Sequence, residues 1–159
     1  MRSPSFTGIN HVGVVTGDLD RAMRTWVERY GIGPWMVHTF DETNMSMVID
    51  GDALPTAIRI ASAFVGESFR IELIEPLHDD EGPYARSLRE HGGAALGDAA
   101  AGGVGRVLDA DFADAGGGEP LRVAYLDTVP QLGFITEIVK RPDDYRHPDP
   151  DGFYEGEAS

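Results

Sequence analysis

The 159-residue chain has 42% hydrophobic residues and carries 27 acidic against 13 basic side chains, a formal net charge of −14. That length suits one domain with one core, and the charge opposes binding to nucleic-acid backbone or an anionic membrane surface. With no cysteine present, disulfides, thiolate catalysis and Cys-ligated zinc are excluded, so any metal would be held by His, Asp or Glu. The opening MRSPSFTG lacks the apolar stretch of a signal peptide, and no run approaches the roughly 20 apolar residues of a membrane span. A cytoplasmic protein acting on a small molecule is expected.

Residues 9–15, INHVGVV, are β-branched and apolar apart from Asn10 and His11, and predict a buried strand ending at Thr16-Gly17. Asp18 is placed to cap a helix carrying Leu19, Ala22, Met23, Trp26, Val27 and Tyr30 on one face, with Gly31 as its stop. Strand character follows at 35–40, 45–50, 57–64 and 69–75, with a loop containing Pro55 between the second and third. One helix followed by consecutive strands describes an α+β unit.

Pro83 and Gly92 frame a second helix over 82–92. The next stretch, 93–105, reads GAALGDAAAGGVG and has few large apolar side chains to anchor a strand. Strands resume at 106–112, 121–126 and 134–140, with a turn at Gly116-Gly117-Gly118. From Pro142 the chain holds three prolines and six acidic residues, which reads as a surface strap or disorder, an acidic tail over 143–159.

Three polar residues interrupt apolar strands. His11 sits among Ile and Val, Glu137 has Ile135 and Val139 at its same-face positions, and Glu72 shares parity with Arg70 and Ile74. A buried imidazole or carboxylate must find a partner. The plainer alternatives are a hydrogen-bonded core histidine for His11, pairing with Lys140 or Arg141 for Glu137, and an Arg-paired surface carboxylate for Glu72. His38, alternating with Met36 and Phe40, is a further candidate acid or base. Trp35, Phe40, Met45, Met47 and Tyr125 are candidate pocket walls or ordinary core.

Four segments, INHVGVVTGDLDRAMRTWVERYGIGPW, FRIELIEPL at 69–77, GPYARSLREHGG at 82–93 and LGFITEIVKRP at 132–142, resemble the vicinal-oxygen-chelate superfamily, which includes glyoxalases, methylmalonyl-CoA epimerases and bleomycin-resistance proteins. The resemblance implies paired βαβββ modules in a half-open barrel within residues 1–142, with module one at about 7–77 and module two at about 104–142. It also implies a divalent metal site at His11, Glu72 and Glu137. A fourth ligand, ordinarily a His on the first strand of module two, has no counterpart here, since residues 93–105 are too few for a strand, a helix and their connections. The second module is therefore expected to be shortened, with an open sheet edge that favours a homodimer.

One imidazole and two carboxylates completed by water suit Zn²⁺, Ni²⁺, Co²⁺, Mn²⁺, Fe²⁺ or Mg²⁺. The implied activity is that of a metal-dependent lyase, isomerase or epimerase forming an enolate from a carbonyl or acyl-thioester substrate, with Glu72 or Glu137 as base. Two alternatives stand beside it. One is a metal-free small-molecule binding protein of the sequestration type, and the other is a metal-free pocket catalyst using His38 or a carboxylate. The Gly-rich run at 101–105 lacks the Lys-Ser/Thr of a phosphate loop, and no G-x-S-x-G elbow occurs.

Overall fold

In the computed structural model, residues 10–49, 51–77, 84, 85, 88, 89, 106–126 and 136–156 are described. Helix α1 (Leu19–Tyr30) forms where its caps predict it. The Asp18 carboxylate accepts the Arg21 backbone N–H at 2.9 Å, and Gly31 takes φ 64°, a left-handed conformation that ends the helix without Cβ strain. The strands in chain order are β1 (His11–Val15), β2 (Trp35–Phe40), β3 (Met45–Ile49), β4 (Asp52–Ala53), β5 (Ile58–Val65), β6 (Phe69–Pro76), β7 (Arg106–Phe112), β8 (Leu121–Leu126), β9 (Thr136–Lys140) and β10 (Gly152–Tyr154).

They form two five-stranded sheets. The first has the order β1-β6-β5-β2-β10 and the second β4-β3-β7-β8-β9. In the first sheet β1 runs parallel to β6, and the other pairings are antiparallel. The architecture is α+β, and among the described residues the sheets are not closed into a barrel. Among the described residues β1 and β10 end the first sheet, and β4 and β9 the second.

Strand alternation sorts the apolar residues into two cores. Between the sheets lie Val15, Phe40, Met45, Met47, Ile58, Ile74, Leu108, Ala110, Phe112, Val123 and Tyr125, joined by Tyr84. Against α1 lie Trp35, Ala61, Ala63 and Leu73, with Leu19 and Met23 of the helix. The helix N-terminus is fixed to the same sheet by Glu75, which accepts the Leu19 N–H at 3.1 Å and pairs with Arg59 at 3.1 Å.

Two features go beyond the sequence expectation. The β3–β4 hairpin leaves the sheet of its own module and pairs through β3 with β7, because Met45 and Met47 bury on the second sheet's inner face. The boundary expected at 142 is not a structural one. Tyr145 is buried, the Asp151 N–H donates to the Val37 carbonyl at 2.7 Å, and β10 pairs with β2.

This crossing strap is pinned by Asp114. Its carboxylate accepts the N–H groups of Arg146 and Gly118, contacts that hold the carboxyl below its ordinary value. Tyr84, Ala85, Leu88 and Arg89 of the helix expected over 82–92 are helical. Residues 93–105, the site of the expected gap in module two, lie outside the described residues.

Two substitutions test these supports in urea unfolding. Leu73→Ala, at a position 1% exposed, should cost about 2–5 kcal/mol. Asp18→Ala, which removes the helix cap, should cost about 1 kcal/mol.

Candidate active site

Register places the polar residues in rows on the inner face of the first sheet. His11 on β1 lies beside Arg70 on β6, and Arg70 beside Phe64 on β5. In the next row Gly13 lies beside Glu72, Glu72 beside Ser62, and Ser62 beside Met36. Cross-strand neighbours share a face, so His11, Arg70 and Glu72 all point between the sheets. At Gly13 a Cβ would meet the Ile74 Cδ1 at 3.3 Å. Glu137 arrives from the other sheet, in register with Tyr125 on β8.

The His11 Nε2 lies 3.2 Å from the Glu137 Oε2, with the side chains 10% and 22% exposed. On the other side of the ring, Nδ1 lies 2.8 Å from the Asn10 Oδ1. Both ring nitrogens thus face oxygen, an arrangement that a doubly protonated imidazole satisfies. The hydrogen bond to Glu137 accordingly raises the His11 pKa above the ordinary 6.5, against the opposing effect of burial. Glu72 is also raised above its ordinary value, chiefly by burial, with Arg70 and His11 opposing. Its Oε1 meets the Arg70 Nη2 at 2.8 Å.

Above this face the Tyr84 hydroxyl donates to the Tyr125 hydroxyl at 2.9 Å. Burial pushes both phenols up, and the charges of Glu137 and Glu72 add to the effect. Both therefore keep their protons at neutral pH. His38 shares the inner face with Phe40, their rings stacked at 6.0 Å. Its Nε2 lies 3.2 Å from the Pro148 carbonyl on the strap.

The sequence-derived candidates are thus divided. His11 and Glu137 are in contact, Glu72 is next to them, and Tyr125 stands over the group. Phe40, Met45 and Met47 fill the inter-sheet core, at 8%, 6% and 2% exposed. Trp35 is not a wall of this site. It packs under α1, and its Nε1–H donates to the Ile32 carbonyl at 2.9 Å, because odd positions of β2 face the helix whereas Met36, His38 and Phe40 face inward. A groove of about 330 Å³ lined by Val27, Gly31, Gly33, Pro34 and Glu155 lies at the end of α1, on the helix side of the sheet and apart from these groups.

Two participants escaped the sequence reading. Arg70 was weighed only as a surface partner of Glu72, although its parity already put it on that residue's face. Tyr84 falls within the helix expected over 82–92, where nothing in the sequence marks a hydroxyl that meets another one 41 residues away.

The metal set implied by the resemblance does not fit this arrangement. His11 and Glu137 converge, but Glu72 is held by Arg70, and among the described residues no three His, Asp or Glu side chains are arranged to hold an ion.

Comparison with protein families matches residues 10–120 to the glyoxalase/bleomycin resistance protein/dioxygenase superfamily. The chain belongs to this superfamily, the vicinal-oxygen-chelate family that its motifs resemble. Glu137 lies beyond the matched residues.

Among solved structures, a variant of Streptomyces coelicolor methylmalonyl-CoA epimerase in complex with 2-nitronate-propionyl-CoA is similar at 19% identity and TM-score 0.58, covering 91% of this chain and 100% of that one. The methylmalonyl-CoA epimerase from Mycobacterium tuberculosis is similar at 23% identity and TM-score 0.55, covering 87% and 91%. A hypothetical protein from Bacillus halodurans C-125 has 18% identity and TM-score 0.57, covering 88% and 98%. These likenesses show the fold. Comparison with curated proteins finds no match.

Both raised groups give stability a definite pH direction. Each favours the folded state fully below its unfolded value, 6.5 for His11 and 4.5 for Glu72, and loses that contribution as pH rises through the folded midpoint. Nitrogen-detected NMR should therefore show His11 titrating above 6.5, and Glu137→Gln should bring the midpoint down. Glu72→Gln, which cannot ionise, should gain stability relative to wild type as pH rises from 4.5. A constant difference from acid to neutral pH would remove the burial argument for Glu72.

Proposed function

We propose that the protein is an isomerase or epimerase that moves a proton at the carbon next to a carbonyl, through an enolate held by the chain's own side chains. The observation that carries this reading is the buried Glu72 carboxylate in contact with the Arg70 guanidinium beside the His11–Glu137 pair. Burial raises the proton affinity of Glu72, which makes it a better base than an ordinary carboxylate.

Glu72 takes the proton from carbon, and the electron pair of the broken C–H bond moves to the carbonyl oxygen. The acidic hydrogen and that oxygen sit on adjacent atoms of the substrate. A base and a cation in contact at 2.8 Å suit them together, and Arg70 meets the oxygen as it becomes negative.

His11, with both ring nitrogens facing oxygen, carries the proton to be returned to carbon. Glu137 then orients the ring and balances its charge. Inversion of the centre requires that His11 deliver its proton to the face opposite the one Glu72 deprotonates. The protonated phenols of Tyr84 and Tyr125 supply further hydrogen-bond donors over the same face.

His38, fixed by the strap at Pro148, takes a positioning part in this scheme. A divalent ion would call on His11 Nε2, Glu137 and Glu72. The geometry supports the metal-free version better, since Glu72 already has its cation.

Acyl thioesters are the first substrate class to try. This choice is supported by superfamily membership and by likeness to epimerases, one of them bound to an acyl-CoA analogue. A binding-only role is less well supported, because Phe40, Met45 and Met47, the walls it would use, are spent in the core.

In D₂O, proton NMR should show enzyme-dependent loss of the α-hydrogen from a 2-substituted acyl thioester. Glu72→Gln should slow this exchange by about 10²–10⁴-fold. Exchange no faster than in buffer, across branched and hydroxylated acyl thioesters and simple 2-hydroxy ketones, would sink the proposal.

A further inference from the structure

We infer that Arg70 is the site's built-in cation: its guanidinium takes, beside Glu72, the place that a divalent ion would need, and so holds such an ion out of the His11–Glu72–Glu137 group. The inference rests on geometry and does not depend on which reaction the site performs.

Arg70 is in register with His11 on the neighbouring parallel strand and shares a face with Glu72 two residues on. It reaches that carboxylate at 2.8 Å while the two side chains are only 29% and 15% exposed. To bind an ion, Glu72 would have to give up this charge-assisted contact in a half-buried setting, where such contacts are strong. The guanidinium would then be left close to a second, doubly charged cation. Lysine could lose its proton under such pressure, but arginine keeps its charge at any pH the fold survives.

The charges on this face point the same way. Glu72 and Glu137 supply two negative charges. They are met by one permanent cation and by an imidazole whose two nitrogens both face oxygen. A divalent ion would bring two more positive charges to a group in which Arg70 already faces Glu72 and His11 already faces Glu137. The protein's overall excess of 27 acidic over 13 basic residues makes a cation spent here more telling than one on a basic surface.

The test uses cobalt(II) alone as probe, followed by calorimetry and by its visible absorption, on the full chain. Wild type should show no saturable site. Arg70→Met should acquire one, about tenfold or more tighter than any residual binding by wild type, and the absorption should report a nitrogen ligand. Adding His11→Ala to Arg70→Met should abolish it.

Stoichiometric binding by wild type at the affinity of Arg70→Met would overturn the inference, as would failure of every variant to bind. Persistence of the gained site without His11 would overturn it too, by moving the site elsewhere. Thermal melts of each variant confirm that a folded chain is being titrated, and Arg70→Gln replaces Arg70→Met should the latter not fold. Loss of the proton-exchange activity leaves this readout intact, so the two proposals fail separately.

Discussion

His11 on β1 and Glu137 on β9 meet at 3.2 Å and so join the last strand of one sheet to the last strand of the other. Much of the remaining contact between the sheets is apolar packing, which is strong but has no preferred direction. The ion pair adds direction. It fixes which ends of the two sheets come together, and it concentrates the remaining charged groups, Glu72 and Arg70, at that end. A lone charge left there would be costly. The four side chains therefore stand or fall as a set, and the chemistry available to the site follows from their mutual neutralisation.

Much of this was legible in the sequence. The helix was readable because Asp18 and Gly31 mark its ends in the local chemistry of the backbone. The strands were readable because β-branched runs alternate with turn residues. His11, Glu72 and Glu137 stood out because ionisable residues in apolar strands are anomalies whatever the fold. What escaped depended on partners distant in the chain. Trp35 is legible as core or pocket wall from composition alone; its alternation with His38 and Phe40 decides for the core under α1. Tyr84 could be linked to Tyr125 only once the sheets were assembled.

Arg70 shows a different limit. Sequence reasoning treats an arginine two positions from a glutamate as a surface pair, because most such pairs are exposed and weak. Burial changes what the same two residues mean. On an inner face, with His11 in the adjacent register position, the pair becomes a statement about which cation the site accepts. Residue spacing alone carries no information about that dielectric setting. Superfamily membership does not supply it either, since the matched family includes proteins of quite different activities.

The strap after β9 has a consequence for how the chain can be handled. Residues 142–154 cross from the second sheet to the first, held at Asp114 and by their own buried Tyr145, and end as the edge strand β10. A polypeptide shortened near residue 142, as its acidic composition would tempt one to do, loses an edge rather than an ornament. The backbone of β2 would then be bare along the stretch that β10 had covered, and His38 would lose the carbonyl of Pro148. Bare strand edges recruit other chains. Trimming for solubility at this end would therefore work against its purpose.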